Sequence, residues 1–213
     1  MARNSRDQRG QFSTMVRVSG RGKIVPGSNI LKKGQKPKDG KWQKKSAYEC
    51  CDPLPIVGTF YQGGIIGSST IINNQVMVVD INELAFKPWD AGTNVITGAT
   101  ATALKTGAAN TDTIISVQGA GNYAADATRG GAIAYDLPSK DELNEVYTNR
   151  IAINIGMLDN GGTAMNLTGV SFWSSSEFSI NTAWSQNFGD GVQTSAFAKS
   201  DTFLFRGVRW VNY

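Results

Sequence analysis

Histidine is absent from all 213 residues, which removes the commonest acid–base side chain and a favoured metal ligand. Cysteine occurs only as the adjacent pair Cys50 and Cys51. Neighbouring cysteines are no disulfide framework, and a ring between them is strained, so reduced thiols or simple packing are expected. No apolar run approaches the roughly 20 residues of a membrane span. The start carries no apolar leader core either, so neither insertion nor leader-directed export is expected. Charge is thin, at 18% of residues, and glycine is plentiful, with 24. That balance fits a loop-rich β protein.

The charge that exists is unevenly placed. Residues 1–45 hold 13 of the 21 Lys and Arg residues against only Asp7 and Asp39, a net charge of +11. The other 168 residues hold 8 basic and 15 acidic residues, a net −7. Six glycines and sparse apolar residues run through the basic stretch, which cannot bury a core of its own. Such a tail has three readings: a solubilising extension, an arm for nucleic acid, or an arm lying along an acidic protein surface. The candidate contacts are Arg3, Arg6, Arg9, Arg17, Arg21, Lys23, Lys32, Lys33 and Trp42. Phosphate contacts by such residues would release counterions, but the acidic body offers no matching basic face, so nucleic acid is not the expected partner. Ordering the arm costs about 1–2 kcal/mol per residue for the backbone, which only a partner can offset. Cys50-Cys51-Asp52-Pro53-Leu54-Pro55 is a proline-stiffened junction. The expected division is an arm over 1–55 and a domain over 56–213.

Within the domain, Ser139 followed by Glu142 predicts a capping box, with Pro138 before the cap. Leu143, Val146, Tyr147 and Ile151 then make one apolar helical stripe, and everything after the helix reads as strand. Trp173, Phe178, Trp184, Phe188, Phe197, Phe203, Phe205 and Trp210 alternate with turn residues, as antiparallel hairpins do. Gly189-Asp190-Gly191 marks a turn between Ala183–Phe188 and Val192–Lys199. The alternation of Phe203, Phe205 and Gly207 with Leu204 and Arg206 predicts a sheet with one dry face. Arg206 and Arg209 read as structural arginines beside the aromatics. Ile56–Tyr61 and Ile71–Ile81 read as strands, the second with an interruption or turn at Asn73-Asn74; within it, Gln75–Asp80 equally suits a fully buried central strand. Residues 90–131, rich in Ala, Gly, Thr and Asn, predict a long surface loop with one short helix near Ala108–Val117. Such loops serve binding or simply tolerate insertion.

No catalytic constellation emerges. Ser174, Ser175 and Ser176 have no histidine to activate them. The carboxylates Asp141 with Glu142, and Glu177 with Asp190, have no spacing that sets them at a hydrolase separation. The oxygen-rich Asp159-Asn160-Gly161 and Asn187 to Asp190 are what tight turns use in any case. No catalytic residue, metal or cofactor is therefore expected.

The order of motifs is more informative than any one of them. Gly63-Gly64-Ile65-Ile66, the Thr97–Gly107 run with Asn110-Thr111, LPSKDELN, WSSSE, Asn181–Trp184, Asn187–Gly191 and Arg206-Gly207-Val208-Arg209 follow one another. Together, over about residues 60–213, they resemble the bacterial and phage lectin-like domains of the C-type lectin fold, in the sulfatase-modifying-factor-like branch. The resemblance implies an α+β C-type-lectin-like domain: a short helix, a twisted antiparallel sheet, long loops and neighbouring termini. It does not carry over the oxidation chemistry of the formylglycine-generating relatives, which relies on cysteines deep in the domain. The Glu-Pro-Asn-type and Trp-Asn-Asp-type calcium motifs of sugar-binding relatives are also missing. Metal-free contacts through Trp184, Asn187 and Asp190, or through an exposed Tyr123, remain the candidates for ligand recognition. The resemblance and the arm imply a structural protein of a bacteriophage virion: a capsid decoration, head-fibre or tail-associated subunit. Its expected partners are other virion proteins and further copies of itself. The competing expectation is an adhesin that binds a host-surface glycan or protein.

Overall fold

A computed structural model of the chain describes residues 54–82 and 84–213. The expectations for the arm, from Arg3 to Trp42, and for Cys50 and Cys51 lie outside the described residues. From Leu54 onward the elements are β1 (Phe60–Tyr61), β2 (Gly64–Ile66), β3 (Gln75–Val79), β4 (Leu84–Pro88), α1 (Gly107–Gln118), α2 (Ala124–Arg129), α3 (Lys140–Thr148), α4 (Arg150–Asp159), β5 (Ser171–Glu177), β6 (Ala183–Asn187), β7 (Gln193–Thr194), β8 (Thr202–Phe205) and β9 (Val208–Asn212). The class is α+β. One sheet runs β1-β2-β3-β9, all antiparallel; the other runs β4-β8-β5-β6-β7, with only β5 and β8 parallel.

The first sheet brings the end of the chain back towards β1. β9 pairs along the whole of β3, from Gln75 opposite Asn212 to Val79 opposite Val208. The Tyr61 hydroxyl and the Gln62 amide both donate to the Asn212 carbonyl, so side chains at the end of β1 reach the end of β9. Asn73 and Asn74, at φ of +51° and +57°, form the two-residue turn into β3, where asparagine tolerates the left-handed backbone. Of the two readings of Asn73-Asn74, the turn is the one that forms, and the strand within Ile71–Ile81 narrows to β3. That strand has Val76 to Val79 buried on both faces. Ile56–Tyr61 shortens to Phe60–Tyr61, because the preceding residues cross α4 as a strap.

Two large cores lie on opposite sides of the second sheet. Phe172 on β5 enters a core with Ile65, Met77, Leu143, Val146, Ile153 and Phe188. The next residue, Trp173, enters the other with Trp89, Ile114, Tyr123, Leu137 and Phe205. Leu204 and Phe205 on β8 divide in the same way. The expected single dry face is thus corrected: both faces are covered, because helices pack on each. A third, smaller cluster of Ile66, Val76, Val78, Tyr135 and Val211 covers the other side of β3.

The capping box forms as read. Ser139 Oγ accepts from the Glu142 N–H, and a Glu142 oxygen accepts from the Ser139 N–H. Leu143 and Val146 are buried and Tyr147 packs against the first core. Ile151 departs from the stripe. The helix ends at Thr148, and Asn149 redirects the chain into α4, whose inner face is Ile153, Gly156 and Met157. Ile151 falls on the outer face with Ile155 and Leu158, all exposed. The chain after α3 is consequently not all strand. A side chain at Gly156 would meet the Gly58 carbonyl at 2.0 Å, which is why the strap can cross α4 there.

In residues 90–131 the helix expected near Ala108–Val117 forms as α1, and 91–98 is irregular and mostly exposed, as a surface loop is. The departures are α2 and the full burial of Ala99, Ile114, Tyr123, Ala124 and Ala125.

Candidate functional site

Three of the motifs singled out in the sequence, the Thr97–Gly107 run with Asn110, LPSKDELN and WSSSE, meet at the junction of β5, the start of α3 and the segment 97–106. Glu142 is one hub. Its Oε1 accepts from the Lys105 N–H (2.7 Å) and the Trp210 indole N–H (2.7 Å), and its Oε2 accepts from the Ser139 N–H (2.7 Å). Burial pushes the Glu142 carboxyl up, against the pull of those donors. Gly107 is required beside it, since a Cβ there would stand 2.3 Å from Glu142 Oε2 and 2.7 Å from the Leu137 carbonyl.

Glu177 is the second hub. Its Oε1 meets the Lys199 ammonium at 2.5 Å, with both side chains buried. The Thr97 and Gly98 N–H groups donate to the same carboxylate, and Lys199 also donates to the Val95 carbonyl at 3.0 Å. Burial pushes the Glu177 carboxyl up, but the Lys199 hydrogen bond and the two backbone donors outweigh it and hold the group below its ordinary range. The Lys199 ammonium lies 4.8 Å from the centre of the buried Trp89 ring. This ion pair staples three segments: 95–98, the 177–182 hairpin tip and the stretch before β8.

The serines between the hubs are equally committed. Ser174 Oγ donates to the Trp184 carbonyl and Ser176 Oγ to that of Ala101, while Ser175 Oγ accepts from the Asn110 amide. Each is buried, and none faces an acid–base partner. The carboxylate pairs do not form: Glu142 and Glu177 are enclosed in their own networks, and Asp190 is exposed on a turn. Among the described residues, no three His, Cys, Asp or Glu side chains gather as metal ligands.

The three candidate ligand contacts do not converge. Trp184 and Asn187 are three apart on β6, hence on opposite faces. Asn187 Oδ1 accepts from the Gly189 N–H and Asp190 Oδ1 from the Val192 N–H, so both side chains shape the turn. Trp184 is half-buried, with Phe178 edge-on at 5.6 Å and the Lys140 ammonium 4.8 Å above its ring. Tyr123 is buried, with its hydroxyl donating to the Gly119 carbonyl, and burial and the nearby Asp126 push it up to about 12. Arg206 is buried with its guanidinium on the Asp80 and Thr163 carbonyls; Arg209 donates to the Gln62 carbonyl and lies over Tyr135.

Two shallow clefts, of about 380 and 300 Å³, open elsewhere, one beside Asp90 and Asn122 and the other beside Phe60 and Asp80. What the sequence reading missed is the Glu177–Lys199 ion pair itself, with the exposed apolar residues Ile96, Phe178, Ile180 and Phe197 close to its members in the chain. A weak signal existed in the uncharged runs 91–104, 178–189 and 191–198, in which these four residues lie.

No family model and no curated protein matches this chain. Among solved structures, it is similar to a fimbrial protein from Bacteroides ovatus, with a TM-score of 0.46 and 13% identity. The match covers 63% of this chain and 35% of that one, so the chain spans about a third of that protein's length. Among the described residues, no helix is long and apolar enough to cross a membrane.

Proposed function

We propose that the chain is a non-enzymatic structural protein of a bacteriophage virion, a capsid decoration, head-fibre or tail-associated subunit. In this reading residues 56–213 form a C-type-lectin-like head, and the basic residues of 1–55 anchor it to other virion proteins. The observation that carries the reading is the inward commitment of the motif side chains. Ser139, Glu142, Ser174, Ser175, Ser176 and Glu177 all hold backbone or buried partners. They act as framework that holds an irregular segment, and a framework suits display rather than turnover. The division of charge, +11 in residues 1–45 against −7 in the rest, supports an anchoring arm.

Deleting residues 1–45 tests this. The truncated protein is expected to stay soluble and folded by circular dichroism and to be lost from purified particles. Incorporation at the level of the full chain would remove the anchoring role. Electron microscopy of intact particles would then show what the arm touches.

An adhesin reading is favoured by one observation, the exposed Phe178 edge-on to Trp184. A glycan array probed with the full chain distinguishes it, since specific saturable binding would favour the adhesin over the purely structural subunit.

A further inference from the structure

Asn160-Gly161 is the one place in the chain where asparagine stands before glycine; every other asparagine precedes a residue that carries a side chain. The pairing matters chemically. The main-chain nitrogen after an asparagine can attack the side-chain carbonyl carbon and close a succinimide ring. A side chain on the attacking residue hinders that closure, whereas glycine leaves the backbone free to reach it. Both residues are exposed at the end of α4, and the space that a Gly161 side chain would occupy is open. Water therefore reaches the ring once it has formed.

In the folded chain both reacting groups are held by other partners. The Asn160 amide nitrogen donates to the Gly156 carbonyl at 2.8 Å, which draws the side chain back over the preceding turn. The Gly161 N–H donates to the Leu158 carbonyl at 3.2 Å, and the Gly162 N–H to that of Met157 at 2.8 Å. These bonds close the C-terminal turn of α4, with Gly161 at φ +72°. The Gly161 nitrogen must shed its proton and swing towards the asparagine side chain, so the turn has to open before the ring can close. The end of a helix is where such opening costs least. Leu158, on this last turn, is 62% exposed and adds little packing to hold it shut.

The chain just beyond the pair is pinned to the end of β3. The Thr163 N–H donates to the Ile81 carbonyl, and the Arg206 guanidinium donates to the Thr163 carbonyl. A side chain at Gly162 would stand 2.5 Å from the Ile81 carbonyl oxygen, so the approach there is close. Hydrolysis of the ring gives aspartate or, by the other opening, isoaspartate, whose main chain is longer by one carbon. Either product loses the amide donor to Gly156 and sets a carboxylate at the negative end of α4, next to Asp159.

We propose that Asn160 is a site of spontaneous deamidation, closing on the Gly161 nitrogen at a rate set by opening of the last turn of α4. The Gly161 nitrogen gives its proton to solvent and bonds to the Asn160 side-chain carbon; ammonia leaves, and water opens the imide. No oxidant, metal or second protein enters. The full-length chain is held at mildly alkaline pH beside a synthetic peptide of residues 155–164, and both are followed by peptide mapping with mass spectrometry. Asn160 is expected to convert before any other asparagine of residues 54–213. Its rate should be between about threefold and a hundredfold lower than in the peptide. Leu158→Gly, an exposed change that weakens the last turn, should speed conversion about threefold while the circular dichroism stays that of the parent. Should that variant not fold, urea added to the parent below its unfolding midpoint decides, and conversion is expected to rise with it. A rate outside that window overturns the proposal, as does earlier conversion of another asparagine in 54–213. So does a rate indifferent to the weakened turn.

Discussion

Lys199 and Glu177 illustrate how a single residue can govern an irregular region. Neither has a close sequence neighbour that announces the contact, and both are fully enclosed. Removing one partner leaves a buried charge alone, which costs more than the pair itself contributes. Lys199→Met should lower stability by about 3–5 kcal/mol in urea unfolding, and Glu177→Gln with Lys199→Met should recover part of that loss. The pH dependence has a definite sign. The folded Glu177 carboxyl lies below its ordinary value of 4.5, so the unfolded chain binds the proton more readily. Its contribution is complete above about pH 4.5 and fades as pH falls through the folded value. Glu142, pushed up by burial, contributes with the opposite sign, favouring the fold below its ordinary value and losing that as pH rises. Melting temperatures between pH 3 and 6 should therefore fall less steeply on acidification in Glu177→Gln than in the parent. An equal slope in both would sink the assignment.

At the scale of elements, α4 is instructive because its two faces look alike in composition. Ile153 and Met157 are buried, whereas Ile151, Ile155 and Leu158 are exposed. Only the position of the strap and of β2 decides which isoleucines are core. Ile153→Ala is expected to cost about 2–5 kcal/mol and Ile151→Ala no more than about 0.5 kcal/mol, measured as shifts in the urea midpoint at constant slope. Similar losses at both would mean that the outer face is covered. The Ser139 cap shows the opposite case, since its signal is local. The residues that satisfy the cap and the residues that encode it lie within four positions, so the motif alone announces α3.

Across the whole molecule, β5 and β8 divide the interior into two cores while belonging to both. Phe172 and Trp173 are adjacent in the chain and buried on opposite sides of one sheet. Disturbing either side must therefore disturb the strand that supports the other. Phe172→Ala and Trp173→Ala should each cost about 3–5 kcal/mol and still leave one unfolding transition, with fluorescence and circular dichroism midpoints coinciding. Two separated transitions would show that the cores unfold independently.

Local signals determined a good deal: the capped helix, the Gly189–Gly191 turn and the helix near Ala108–Val117 all follow from spacings of a few residues. The uneven charge and the lack of histidine are compositional and need no fold to be read. Tertiary structure alone decided the rest. Residues 90–131 read as surface loop apart from one helix because they hold few large side chains. The stretch 97–105 is instead held by Ser176, Glu177, Ser139 and Glu142, which reach it across 36 to 80 residues of chain. No local pattern encodes such contacts, since each hydrogen bond depends on where a distant carboxylate or hydroxyl arrives. The same reason hid the Glu177–Lys199 pair, whose partners stand 22 residues apart and meet only once the hairpin and the stretch before β8 are side by side.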